Sequence, residues 1–221
     1  MNKLKFHLPN AKGNSKCHTM HIGKESEKCT KLKVHGHQME MVESETYLGD
    51  IISRDGKNRL NIENRVAKGL GIVSQIMDLL KAVSFGVHYF EMAATLRQSM
   101  LLSGILTNCE VWYGLSKNDI SQLEEVDKLL LRQIFNVASS CPIEALYLEM
   151  GCLPLSIVIK CRRLNYLHYL VNRSESEMLA KFFIRQWNYP ARRNDWTEQI
   201  RLDLLEFEIC DNLEWIKKNL N

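Results

Sequence analysis

The rhythm of hydrophobic and polar positions changes once along the chain. Through residue 53 the apolar residues fall in short extended runs, "KCHTMHIG", "KLKVHG", "QMEMV" and "ETYLGDIIS", separated by Lys, Glu and Gly clusters. Runs of this length predict small antiparallel strands. After Asp55-Gly56, a turn dipeptide, the spacing lengthens to three and four residues. Ile62, Val66, Leu70, Val73, Met77 and Leu80 then share one face of a helix ending near Phe85-Gly86. A second helix is predicted from His88 to about Asn108. A third starts at Ser116, where Asp119 three residues later has the form of a capping box, and continues through Ile120, Leu123, Val126, Leu130 and Ile134. Pro142 and Pro154 suit the first turns of two more helices. "SESEMLAKFFIRQW" and "DWTEQIRLDLL" extend the helical pattern, the latter capped by Asp195 and Glu198. The expected fold class is therefore α+β, with small N-terminal antiparallel β-hairpins followed by a mostly α-helical remainder. Its expected segments are 1–57, 58–138 and 139–221.

Composition narrows the class. A chain of 221 residues with 45% hydrophobic and 25% charged content can bury a sizeable core, which argues against disorder. The formal net charge of +3 is too small to imply a polyanion partner, so the distribution of Lys and Arg has to decide. No stretch has signal-peptide character or the roughly 20 apolar residues of a membrane span. The expected location is intracellular, cytoplasmic or nuclear. Seven scattered cysteines without a CxxC pair fit reduced thiols better than a disulfide framework.

Four features carry possible chemistry. Gly49 and Asp50 stand inside what reads as a strand, and glycine there often marks close approach of another backbone or a ligand, or else a bulge in an edge strand. Asp50 and Asp55 invite a metal reading, but a pair of divalent ions needs convergent carboxylates about 4 Å apart, and Asp55 beside Gly56 has the form of a turn residue. Cys17, His18, His21, Cys29, His35 and His37 cluster in sequence, yet their spacing matches no standard zinc finger. On the first long helix, Asn58, Asn61, Arg65, Lys68 and Gln75 form a polar, cationic stripe beside the apolar face. Such a stripe can follow phosphates or simply face water. Gly69 and Gly71 in that helix point to close approach of something, since each costs about 1 kcal/mol in a helix interior. Arg162-Arg163 and Arg192-Arg193 are weaker cationic candidates, whereas Trp112, Tyr113 and Tyr147 sit among apolar residues and read as core.

A collinear series of segments carries a resemblance. "NSKCHTMHIGK", "LKVHG", "YLGDIIS" with "RDGKN", "NRVAKGLGI", "FGVHYFEMAATLRQSMLL", "NCEVWYGLS", "QLEEVDKLLLRQIF", "PIEALYLEMGCLPL", "IKCRRLNYLHYLV" and "DW" together cover nearly the whole chain. In that order they resemble the region following the catalytic core of a non-LTR (LINE-type) retrotransposon reverse transcriptase. The resemblance implies the end of a polymerase palm with its primer-grip hairpin over 1–57, a helical thumb over 58–138 and a helical linker region over 139–221. It implies nucleic-acid contacts from Lys16, near the incoming nucleotide's phosphates, and from Tyr47, Leu48 and Gly49 in the primer grip. The thumb would add Arg65 and Lys68, with Arg162 and Arg163 further on.

The paired-aspartate turn of that family is absent, so no catalytic residue is assigned and the chain alone is expected to be inert in nucleotidyl transfer. The family's divalent metal, of the Mg type, would belong to those aspartates, and no metal ligand is assigned here. Four short strands make a sheet too small to bury both faces, so the N-terminal part reads as the tail of a larger domain and the chain as a fragment, a degenerate copy or a mis-started reading frame. The expected partner is an RNA-DNA hybrid or duplex, held weakly and without sequence preference, together with the remainder of the polymerase. The alternative is a catalytically inert helical protein-protein interaction module whose basic stripe is merely solvated.

Overall fold

The structure, a computed structural model, describes residues 18–22, 32–34, 37–174, 176–189 and 195–219. The fold class is α+β, as expected. The chain divides into two compact units, Met1–Asn61 and Ile62–Asn221.

In the first unit the strands are short. β1 (His18–Thr19) pairs with β4 (Glu40–Met41), and β2 (Lys33–Val34) pairs with β3 (His37–Gln38). The β1–β4 pair is parallel, against the expectation of antiparallel strands throughout. Parallel pairing needs the intervening chain to return to the same end of the ladder, and nothing in a two-residue apolar pattern records that return. β5 (Ser44–Tyr47) and β6 (Asp50–Ser53) form an antiparallel hairpin with Tyr47 opposite Asp50. "YLGDIIS" is thus a turn followed by a strand, not one continuous strand. Arg54 extends the hairpin, donating its backbone N–H to the Glu43 carbonyl at 2.8 Å and its Nη1–H to Glu43 Oε1 at 2.8 Å.

The helices follow the predicted order. α1 (Arg59–Leu80) is succeeded by one continuous helix, made of α2 (Val87–Leu96), a π-helical stretch (Arg97–Leu102) and α3 (Ser103–Ile105). Asn108, with φ of 60°, ends it in the left-handed region that asparagine tolerates. α4 (Lys117–Phe135) opens with the predicted capping box: Asp119 N–H donates to Ser116 Oγ at 3.1 Å and Ser116 N–H to Asp119 Oδ2 at 2.8 Å. α5 (Ile143–Glu149) and α6 (Leu155–Val171) start one residue after Pro142 and Pro154. α7 (Met178–Asn188), α8 (Trp196–Glu206) and α9 (Leu213–Asn219) complete the unit. Asp195 caps α8, accepting the Glu198 N–H at 2.8 Å. Among the described residues no helix is long and apolar enough to cross a membrane.

The helical unit packs around three clusters of buried residues. A main core joins α1, the 87–105 helix, α4 and the first turns of α6 through residues such as Ile76, Leu101, Ile105, Leu130 and Ile159. A second core joins the rest of α6 to α7, α8 and α9 through Leu167, Phe183, Ile200 and Ile216. Leu131, Leu146 and Tyr147 make a third cluster with Phe135, Val137 and Ile143, so it straddles the expected 138/139 division. The cores change over within α6, a single rigid helix, and no loop separates them. Cys109 is buried in the main core, and burial pushes its thiol up to about 11, which keeps it neutral and apolar at ordinary pH.

The buried face of α1 is the one the spacing indicated except at Leu70, with Val66 and Met77 half-buried against the main core. Ile62, Gly69, Val73, Ile76 and Leu80 are covered, whereas Leu70 is 47% exposed. Gly69 lies on this face. A Cβ there would lie 2.9 Å from Val126 Cγ1 and 3.0 Å from Ile105 Cγ2, so the α1 backbone itself touches the neighbouring helices. A Cβ on Gly71 would meet nothing within 4 Å.

One polar group lies at the centre of this packing. Arg97, the first residue of the π-helical stretch, donates Nε–H to Asp127 Oδ1 at 2.7 Å and Nη2–H to Asp127 Oδ2 at 2.8 Å. Its Nη2–H also reaches the Leu153 carbonyl at 3.0 Å, and Tyr147 donates its hydroxyl to Asp127 Oδ2 at 3.2 Å. Both side chains of the pair are buried.

Two stability predictions follow from these contacts. Asp127→Ala leaves the Arg97 charge buried without its partner and is expected to cost about 3–5 kcal/mol, read as a lower urea midpoint. Gly69→Ala is expected to destabilise by about 1–3 kcal/mol through overpacking, whereas Gly71→Ala gains up to about 1 kcal/mol of helix propensity. Equal effects from the two alanines would contradict the packing assigned to Gly69.

Candidate nucleic-acid interface

The sequence nominates a hairpin and a set of cations, and the structure treats the two differently. In the hairpin, Leu48 (φ 49°) and Gly49 (φ 90°) are both left-handed. Positive φ at both central residues is the requirement of the type I′ turn, whose twist matches paired strands. Gly49 therefore supplies turn conformation, and the continuous register from Ser44–Ser53 to Tyr47–Asp50 holds no bulge. Leucine at positive φ costs on the order of 1–2 kcal/mol, and Asn or Asp is the usual residue there. This costly leucine is 77% exposed and its neighbour Tyr47 is 64% exposed. The tip thus offers an apolar and an aromatic side chain to its surroundings.

Its base is held firmly. Asn61, in the first turn of α1, donates its Nδ2–H to Asp50 Oδ1 at 2.9 Å and accepts the Ile51 N–H on Oδ1 at 3.2 Å. Asn61 belongs to the predicted polar stripe, but its side chain is buried against β6 and does not face outward. Asp55 is the expected turn residue, accepting the Ser53 hydroxyl at 2.5 Å and the Lys57 N–H at 3.0 Å. These two bonds, the Ser53 one foremost, hold its carboxyl below the usual range. Asp50 and Asp55 are each engaged locally, and among the described residues no group of three or more His, Cys, Asp or Glu side chains is placed to hold a metal ion. His18 donates Nδ1–H to Glu45 Oε2 at 2.8 Å. Cys17, Cys29 and His35 lie outside the described residues, as do Lys16, Arg192 and Arg193.

The arginines correct the expectation most sharply. Arg65 is only 2% exposed. It donates Nη1–H to the Gly104 carbonyl at 3.0 Å and Nη2–H to the Thr107 carbonyl at 3.3 Å. Arg162 donates Nη1–H to the Leu106 carbonyl between them at 2.8 Å. The 87–105 helix ends here, and its last carbonyls have no intrahelical donors and carry the negative end of the helix dipole. Arg65 from α1 and Arg162 from α6 are thus bound to the end of that helix. Arg163 is buried in a bidentate pair with Asp203 of α8, Nε to Oδ2 at 2.7 Å and Nη2 to Oδ1 at 3.1 Å. Arg65, Arg162 and Arg163 are internal fastenings, not a phosphate-tracking face. Trp112 and Tyr147 are core as expected, whereas Tyr113 is exposed.

Lys68 is exposed, and among the described residues it enters no ion pair. Its stem runs beside the 87–105 helix, with Cε 3.9 Å from where a Gly104 Cβ would stand. Thr95, Ser99, Ser103 and Thr107 line the exposed side of that helix at four-residue intervals, and each donates its hydroxyl to the carbonyl four residues back. This pattern loosens helical geometry, in keeping with the π-helical stretch. With their protons spent internally, the hydroxyls keep only acceptor lone pairs, and Lys68 is the cation beside them.

Compared with known proteins, the chain matches no protein-family model, no curated protein and no solved structure.

The two stripe cations should separate cleanly in stability. Arg65→Ala is expected to lower stability by about 1.5–3 kcal/mol, the scale of hydrogen bonds from a charged donor. Lys68→Ala should change it by less than about 0.5 kcal/mol. Thermal melting of both variants checks this, and a harmless Arg65→Ala would return that residue to the surface stripe.

Proposed function

We propose that the chain is the nucleic-acid-contacting part of an RNA-directed DNA polymerase of the non-LTR retrotransposon type, lacking the catalytic aspartates. In this role it holds primer and template while another segment performs nucleotidyl transfer. The reading rests on the collinear resemblance, and the observation that supports it best is the hairpin. A tight turn carries Tyr47 and Leu48 outward in a costly conformation, and Asn61 fastens the adjoining strand to the start of α1. Strain kept at an exposed position is characteristic of a contact site. Tyr47 and Leu48 would lie along the primer's sugars, while Lys68 would take a phosphate on the thumb. The partner is an RNA-DNA hybrid or duplex, bound weakly and without sequence preference.

A second reading, an inert helical interaction module, draws support from the internal engagement of Arg65, Arg162 and Arg163. Their internal bonds leave fewer cations free to meet a polyanion.

Salt-dependent binding of a labelled RNA-DNA hybrid separates the two. Under the polymerase reading, Lys68→Ala lowers the log-log salt slope by about 1. Leu48→Asn retains the left-handed turn while removing the apolar tip, and should weaken binding with little change in slope. Lys217→Ala, on the exposed side of α9, serves as the control. Unchanged affinity and slope in both Lys68→Ala and Leu48→Asn would leave the interaction module as the better reading.

A further inference from the structure

The second core opens to solvent at a cavity of about 170 Å³ between α6, α7 and the start of α8. Drug-sized ligands occupy roughly 300–1,000 Å³, so this space suits a single ring system. Half of its lining is aromatic, with Tyr166, Phe182, Phe183 and Trp196, beside the aliphatic Val111, Leu170 and Leu179, and Gln186 supplies an amide.

The rings differ in how they are held. Trp196 donates Nε1–H to the Glu110 carbonyl at 2.8 Å and meets Tyr166 and Phe183 edge-on, at centroid distances of 5.7 and 6.3 Å. That wall is fixed. Phe182 stands 61% exposed on α7 and makes no ring contact among the described residues. A fixed aromatic wall with an open ring near it matches a flat π-system better than a branched aliphatic side chain. Gln186 can both donate and accept, as the hydrogen-bonding edge of a base requires.

Charge points the same way. α6 and α7 contain Lys160, Arg162, Arg163, Lys181 and Arg185 and no carboxylate, while the start of α8 adds its cap Asp195 and Glu198. Lys160, Arg162 and Arg163 are engaged internally. Lys181 and Arg185 are exposed on α7, one helical turn apart and within a turn of Phe182. An aromatic pocket beside two exposed cations combines base stacking with phosphate attraction, the recurrent means of holding single strands.

We propose that this pocket takes an unpaired nucleobase of single-stranded RNA or DNA, with Phe182 stacking on it, Gln186 meeting its edge, and Lys181 and Arg185 on the flanking phosphates. The inference rests on the reading of the chain as a nucleic-acid-contacting protein, and it adds a single-strand site apart from the hairpin and Lys68.

The test uses the full chain and fluorescence anisotropy with three probes: a short oligoadenosine strand, the same strand with abasic central positions, and an RNA-DNA hybrid of equal length. Phe182→Ala is expected to weaken the oligoadenosine roughly tenfold, within the range for loss of one base-aromatic stack, and to leave the hybrid unaffected. The abasic strand should bind the unaltered chain about as weakly as oligoadenosine binds Phe182→Ala, with no further loss when the two changes are combined. Gln186→Trp, which fills the mouth from an exposed position, should reproduce the loss if Phe182→Ala folds poorly. Hybrid binding that persists while both variants hold the oligoadenosine normally overturns the pocket and leaves the functional reading standing. Failure of every probe to bind overturns both. A leucine-rich helical peptide that binds in a Phe182-dependent manner, where oligoadenosine does not, replaces the nucleobase with a protein partner and also overturns the proposal.

Discussion

The Arg97–Asp127 pair is the constraint on which the helical unit depends. Four segments far apart in sequence meet at it: the π-helical stretch through Arg97, α4 through Asp127, α5 through Tyr147, and the turn before α6 through the Leu153 carbonyl. Burying two charges is costly, and a well-satisfied pair does little more than offset that cost. What it does contribute is selectivity, because a packing that separated Arg97 from Asp127 would strand both charges without water. Burial alone would lower the Arg97 guanidinium, but its bonds to Asp127 leave it above its ordinary value. Tyr147 is raised by burial and then by the Asp127 charge, so its hydroxyl keeps the proton it donates.

The same economy governs the other arginines. Arg163–Asp203 ties α6 to α8 within the second core, while Arg65 and Arg162 satisfy the end of the 87–105 helix. A planar guanidinium with several donors suits this work, since it can meet two acceptors at once with fixed geometry. Cations given to the interior are lost to any external polyanion. Tyr47 and Leu48 in the first unit, and Lys68, Lys181 and Arg185 in the second, are among the groups that stay exposed.

Much of the local structure was legible because its causes are local. The capping box at Ser116 and Asp119, the Asp195 cap of α8, the Asp55 turn and the order of the helices rest on interactions between residues a few positions apart. The hairpin was harder to read. Leu-Gly is not a customary turn dipeptide, so "YLGDIIS" looked like one strand, and the positive φ of Leu48 has no signature in composition. Periodicity placed Leu70 inside and Arg65 beside the apolar face. Gly69, which lacks a side chain and so weighs nothing in a hydrophobic pattern, lets two neighbouring helices close on the α1 backbone, and Arg65 is buried.

The sequence by itself determined the fold class, the change from strands to helices near residue 58, the principal caps and the absence of a paired-aspartate turn, since each depends on spacing or residue identity alone. Tertiary structure decided which cations face water, where one core gives way to the next, and that Tyr166, Phe182, Phe183 and Trp196 surround a single cavity. The reason is physical. A guanidinium beside an apolar stripe carries the same local pattern whether its neighbour is solvent or the open carbonyls of another helix, and that neighbour is supplied by residues 39 or more positions away.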